Sequence, residues 1–355
     1  MLAGPAGLLQ TVALDAETGT RPMPLPELLK GRLRLPVIGA PMFLVSGPEL
    51  VIAQCRAGIV GSFPALNARP QDVLEEWLAQ IEDALAQHDA AHPERPAAPF
   101  AVNQIVHGSN ERLEHDMAVC LKHRVPIIIT SLRPPNPDVV AAAHSYGGLV
   151  FHDVISLRHA EKALEGGVDG LILVCAGAGG HAGPLSPFAL LPEVRRIFDG
   201  TVILSGAITT GRAVLAATAL GADLAYMGTR FIATEESRAD PRYKQMVVDT
   251  TAKDIVYTPM FSGVHGNYLK PSIAAAGLDP DNLPVPDKTK ADYKTNRRSR
   301  PAAWRDIWGA GQGVGSIDSI LPVAACVDCI EAEYRAALDA LGAVAGPFAT
   351  RAAAE

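Results

Sequence analysis

Apolar residues recur along this chain in short, nearly uninterrupted runs, spaced by longer stretches with helical periodicity. Eight runs stand out, at residues 36–42, 58–63, 99–105, 125–132, 148–154, 170–176, 201–208 and 224–231. Most are blocks of Val, Ile and Leu without polar alternation, as expected of strands covered on both faces. Between them, residues 70–88, 111–123, 157–165 and 211–220 are rich in Ala, Leu and Glu at helical spacing. Eight strands in strand–helix order predict an α/β fold of the (β/α)8 barrel type. An open, doubly wound sheet is the architectural rival, since order in a sheet is not written in the chain.

The rhythm breaks after the eighth run. Residues 236–300 carry Pro, Tyr, Lys, Asn and Gly with weak periodicity, and 278–294 read as loop. This stretch is expected to form a lid or small subdomain over the barrel mouth. The barrel itself is assigned to 30–235 and 301–342. A closing helix is predicted over 317–341, and the Ala-rich tail 343–355 is expected to fray.

Composition narrows the class. The 355 residues are 48% hydrophobic and 19% charged, enough for a large core. The net charge is −7 and the densest basic run is only Arg297-Arg298-Ser299-Arg300, so a nucleic-acid partner is not expected. No apolar stretch approaches the ~20 residues of a membrane span. Residues 1–10 lack the basic start of a signal peptide. Five cysteines, an odd number, suit a reducing cytoplasm better than a disulfide scaffold. Cys326 and Cys329 form a CxxC without a second ligand pair, and the spacing reads as two small residues on one helix.

Candidate chemistry gathers at strand C-termini, the active face of such barrels. Run six closes on Cys175-Ala176-Gly177-Ala178-Gly179-Gly180-His181-Ala182-Gly183. Runs seven and eight close on Ser205-Gly206-Ala207-Ile208 and Met227-Gly228-Thr229-Arg230. Small residues let peptide N–H groups approach an anion, and the helix starting near 209–211 turns its positive end the same way. A phosphate-bearing cofactor is therefore expected at Gly179, Gly180, Ser205, Gly206, Ala207, Gly228 and Thr229. Ordinary loop closure is the plainer explanation of any one of these turns. His181 is a candidate base, acid or anion donor, or else a ring that ties down its loop. His152 lies within run five and faces either the lumen or the helices; its ring must be hydrogen-bonded either way. Asn103 ends run three. Its amide suits the edge of a heteroaromatic ring, or a turn. Ala40-Pro41-Met42 ends run one.

These motifs together resemble the nitronate monooxygenase family, formerly the 2-nitropropane dioxygenases. The resemblance is carried by Ala40-Pro41-Met42, Asn103, Ala178 to Gly183, Ser205-Gly206 and Met227 to Phe231, with Trp304 to Trp308 and Gly309 to Gly313 near the end. It implies an FMN-dependent barrel in which Ala40, Pro41, Met42 and Asn103 lie against the flavin ring. It also implies that the Gly-rich turns hold the phosphate and that His181 is the base toward a nitroalkane or the ligand of a nitronate. His152 is the second choice. The implied reaction takes an alkyl nitronate and O₂ to a carbonyl compound and nitrite. A related reading on the same scaffold is an NAD(P)H-dependent quinone or enoyl reductase. Others are a flavin-free lyase or isomerase that grips its substrate's phosphate, and a flavin-binding protein without catalysis. The chain departs from the family pattern at Val174, where many relatives carry Gln. It departs again at Ala207, in place of a second glycine, and at Asp153, where some carry Lys. Tyr257, His265, Tyr268 and Lys270 are further pocket candidates without a set role.

Overall fold

The computed structural model describes residues 25–283 and 304–348. The start of the chain, the basic run at 297–300, the part of the 278–294 loop beyond 283 and the tail from 349 lie outside the described residues.

Eight parallel strands surround a lumen. They are β1 Val37–Gly39, β2 Gly61–Pro64, β3 Phe100–Val106, β4 Ile127–Leu132, β5 Leu149–Val154, β6 Gly170–Val174, β8 Thr201–Ser205 and β9 Leu224–Met227. A two-residue strand, β7, spans Gly180–His181 and belongs to a second sheet. The large sheet runs β1-β9-β8-β6-β5-β4-β3-β2, and a parallel bridge from Ile38 to Val60 closes β1 onto β2. Gly39 N–H to Val60 O (2.8 Å) and Val60 N–H to Val37 O (3.1 Å) complete that seam. The fold is a (β/α)8 barrel, and the open-sheet alternative is excluded.

Parity within each strand sorts side chains between two cores. Ile38, Val60, Ile129, Phe151, Ile172 and Ile203 fill the lumen. Val102, Ile128, Val150, Leu171 and Val202 pack outward against the helices. Large residues are matched by small ones: a Cβ at Gly170 would stand 2.7 Å from the Phe151 ring, so glycine makes room for the aromatic. Leu29, on a 3₁₀ turn at Glu27–Leu29, joins the lumen cluster with Leu25, Leu28 and Leu33 packed beside it.

The helices that follow strands are α1 Pro48–Arg56, α2 Val73–Ala91, α3 Leu113–Lys122, α4 Pro137–His144, α5 Leu157–Glu165, α6 Pro187–Arg195 and α7 Gly211–Leu220. Several begin with a side-chain cap. Asn136, Ser156, Ser186 and Thr210 each accept a backbone N–H from the first turn. After β9 come α8 Thr229–Ile232 and α9 Pro241–Asp249.

Within the expected lid, β10 Ile255–Thr258 and β11 Gly266–Leu269 form an antiparallel hairpin, and β11 pairs with β7. The excursion is therefore hydrogen-bonded into the Gly-rich loop after β6. A short helix, α10 Lys270–Ala275, follows. The closing helix, α11, covers Val323–Phe348 instead of 317–341. The residues ahead of it form a 3₁₀ turn at Gln312–Ser316 and an extended segment in which Leu321 bridges Thr234. Pro322 fixes the point where helix can begin, and its carbonyl accepts from Cys326 N–H at 2.9 Å. Cys326 is buried and Cys329 exposed on this one helix; all five cysteines are free. Among the described residues no helix is long and apolar enough to cross a membrane, and no side-chain cluster could hold a metal ion.

Candidate functional site

A cavity of about 650 Å³ opens at the C-terminal ends of the strands. Ala40, Pro41 and Met42 line it beyond β1, and Asn103 lines it from β3. Gly179, Gly180 and His181 enter beyond β6. Ser205, Gly206 and Ala207 follow β8, and Gly228 and Thr229 follow β9. The structure thus brings every residue expected around the cofactor to one cavity, together with His181. His152 does not line it.

One end is built from main chain. A Cβ at Gly179 would stand 2.8 Å from Gly311 N and 3.2 Å from Thr229 Oγ1, so these loops meet backbone to backbone. Gly311 N–H donates to Thr229 Oγ1 at 2.8 Å, and Gln312 N–H to Gly177 O at 2.9 Å. Thr229 keeps its own hydroxyl proton to offer outward. Thr209 Oγ1 ties the 313–316 turn, with Gly313 O at 3.1 Å and Ser316 Oγ at 2.7 Å. Thr210 caps α7, whose N-terminus begins at Gly211 beside these turns. Ala207 sits at φ +55, the left-handed region that glycine adopts freely and alanine does not. Gly311 and Gly313 stand in the wall through contacts between loops far apart in the chain, which no local motif marks.

The Ala40-Pro41-Met42 turn is held by Asn67, whose Nδ2 donates to Met42 O (3.0 Å) and Ser46 O (2.8 Å). The floor is polar. Asn103 Nδ2 donates to Ser131 Oγ at 2.8 Å, and Ser131 Oγ donates to Asp153 Oδ2 at 2.6 Å. Asp153 Oδ1 and the Tyr226 hydroxyl are buried without a hydrogen-bond partner, and both residues line the cavity. Burial pushes the Asp153 carboxyl up to about 6, against the opposing pull of the Ser131 hydrogen bond. The Tyr226 phenol is held well above its ordinary value by burial and then by the nearby Asp153 charge.

Strand parity decides His152. Phe151 and Asp153 face the lumen, so His152 faces the helix layer, where it is buried and its Nδ1 lies 2.8 Å from Thr130 Oγ1. Burial, then the neighbouring His159, lowers its pKa to about 4. His159 itself is exposed on the first turn of α5 and lines the cavity mouth.

His181 stands at the mouth on β7, paired in register with Gly266 of β11. Its Nε2 lies 2.8 Å from Ser262 Oγ, and its ring meets the Trp304 ring edge-on, centroids 5.3 Å apart. The surrounding protein disfavours the imidazolium and lowers the pKa, although the ring keeps a face to the open mouth. The hairpin holds the loop. Tyr257 OH donates to Ala182 O at 2.8 Å, and Asn267 Nδ2 donates to Ala178 O at 2.7 Å. His265 O accepts from Ala182 N at 3.2 Å. Of the four further candidates, none lines the cavity: Tyr257, His265 and Tyr268 brace it, while Lys270 pairs with Asp281 at 2.6 Å.

The model of the nitronate monooxygenase family matches residues 27–332. A nitronate monooxygenase of Paraburkholderia phytofirmans is 29% identical over 346 residues, covering 86% of this chain and 94% of the relative. Among solved structures, FabK of Thermotoga maritima superimposes with a TM-score of 0.71 at 24% identity, over 89% of this chain and 97% of that one. A nitroalkane oxidase of Streptomyces ansochromogenes gives 0.70 at 24%, over 88% and 99%. At this identity the two structures speak for the fold.

Proposed function

The chain belongs to the nitronate monooxygenase family, and from that premise we propose that it is a flavin-dependent oxidoreductase converting alkyl nitronates and O₂ to carbonyl compounds and nitrite. The cofactor we assign is FMN. Two features of the cavity suit it. Where Gly179 and Gly311 meet, main chain packs on main chain with no room for a Cβ, so a phosphate can approach the small-residue turns closely. The floor presents buried polar atoms, Asp153 Oδ1 and Tyr226 OH, that lack protein partners and would find them on a polar ring system. In this reading Gly179, Gly180, Ser205, Gly206, Ala207, Gly228 and Thr229 hold the phosphate. Ala40, Pro41, Met42 and Asn103 bound the ring. The flavin supplies the electron chemistry when bound.

The single observation that carries the reading is His181 on the rim of the same cavity as the small-residue turns. Its lowered pKa keeps the imidazole neutral at pH 7, the form that can take a proton from a neutral nitroalkane. A nitronate anion needs no deprotonation, so its oxidation makes no such demand on the ring. His152 has no part in this chemistry, and its ring serves the packing of β4 and β5 against the helices. Five free cysteines suit a reducing setting, and we assign the enzyme to the cytoplasm.

An anaerobic spectrum tests the proposal. A nitronate alone should bleach the flavin absorbance, and His181→Asn should keep the bound flavin but lose turnover with neutral nitroalkanes. Bleaching by NADH or NADPH but not by a nitronate would instead identify a reductase.

A further inference from the structure

Ser262 lies in the turn between β10 and β11, outside the cavity, yet it touches the residue on which the proposed reaction rests. A serine hydroxyl has one proton to give and two lone pairs to receive. Here the proton is directed to Val264 O, 3.0 Å away. The Tyr268 hydroxyl donates to Ser262 Oγ from 3.3 Å, and Val264 N–H approaches only to 3.4 Å. The shortest contact is His181 Nε2 at 2.8 Å. Val264 O can only accept, so the arrangement that satisfies both contacts gives it the hydroxyl proton and makes Nε2 the donor to Ser262. Among the described residues Nδ1 of His181 has no hydrogen-bond partner.

We propose that Ser262 is a positioning residue that holds neutral His181 as its Nε2–H tautomer, which leaves Nδ1 as the nitrogen that receives the substrate proton. The surroundings support a fixed ring. Trp304 packs on His181 edge-on, and Tyr268 packs on Trp304 with centroids 5.2 Å apart while also bonding Ser262. The tautomer of a histidine is set by the hydrogen bond its other nitrogen makes. The Tyr268–Ser262–His181 chain is such a bond, its first two members supplied by the hairpin and brought to His181 by the β11–β7 pairing. The catalytic half of this inference rests on His181 being the base; the tautomer itself does not.

The test is ¹⁵N NMR of the flavin-loaded protein with ring-labelled histidine, the His181 signals being identified by their loss in His181→Asn. At a pH where the ring is neutral, a protonated Nε2 with a bare Nδ1 is expected; a protonated Nδ1, or an even mixture, overturns the proposal. Ser262→Ala should mix the tautomers and lower kcat/KM for a neutral nitroalkane about tenfold, with a smaller loss on the preformed nitronate and recovery in Ser262→Thr. An unchanged tautomer and unchanged turnover in Ser262→Ala also overturn it. Should the Nε2–H tautomer be found while His181→Asn keeps full turnover, the functional reading of His181 fails and the hydrogen-bond assignment stands.

Discussion

Asp153→Asn is expected to stabilise the protein, in a pH-dependent way. The carboxyl sits in the floor of the cavity with one oxygen bonded to Ser131 and the other unpartnered, and burial raises it from 3.8 to about 6. The folded chain therefore holds a proton that the unfolded chain has released between pH ~4 and ~6. Stability falls as pH rises through that window, and the penalty is complete above about 6. A displacement of about two pH units, at 1.36 kcal/mol each, sets an upper bound of about 3 kcal/mol. Water entering from the cavity weakens it to about 1–2 kcal/mol. Asparagine keeps the shape and an oxygen for the Ser131 hydroxyl but removes the charge. His152, next in the chain, acts in the opposite sense. Its pKa is lowered to about 4, so acidification from about 6.5 costs stability. Both proteins contain it, so the difference between them isolates Asp153. Urea unfolding of the flavin-free proteins measures this directly. The variant should gain about 1–2 kcal/mol at pH ~7.5 and about a third of that at pH ~4.5. A gain equal at both pH values, or a loss at the higher one, would refute the reasoning.

Other expectations follow from the same geometry. Ala207→Gly relieves a left-handed alanine at φ +55 and should raise stability by about 0.5–1 kcal/mol in denaturant melts, after the entropy that glycine loses on folding. Gly179→Ala places a methyl 2.8 Å from Gly311 N; the purified protein should show a reduced ratio of flavin to protein absorbance. Because burial lowers the His181 pKa below 6.5, kcat/KM for neutral nitroalkanes should fall on acidification with an apparent pKa under that value, and the preformed nitronate should not show this limb. His152→Gln should leave the flavin spectrum and kcat/KM close to those of the parent while lowering the unfolding midpoint, since it loses a buried partner for Thr130.

The barrel was legible because strands buried on both faces write themselves as apolar runs, whatever their exact ends. The ends were less so. The eighth run, 224–231, is one apolar block in the sequence, yet β9 stops at Met227 and Thr229–Ile232 coils into α8, buried in both conformations. The same continuity hides parity. Val150 and Phe151 are both apolar but face opposite cores, so nothing local told which way His152 pointed. Asp153 could have been found, as a carboxylate inside a buried strand near its C-terminal end. The Gly-rich turns were readable from composition because close backbone approach demands small residues. Ser262 and the β7–β11 pairing were not, since their bonds are mostly between main-chain groups or across long separations that leave no local pattern.

The partner of His181 lies 81 residues further along the chain. A ribosome therefore releases the turns after β8 and β9 before the hairpin that steadies the imidazole, and Gly311 and Gly313, which complete the wall, later still. The separation also divides the molecule's freedom to change. The hairpin turn around Ser262 can be rewritten, and the imidazole left without its partner, while Tyr257 and Asn267 go on holding the Gly-rich loop.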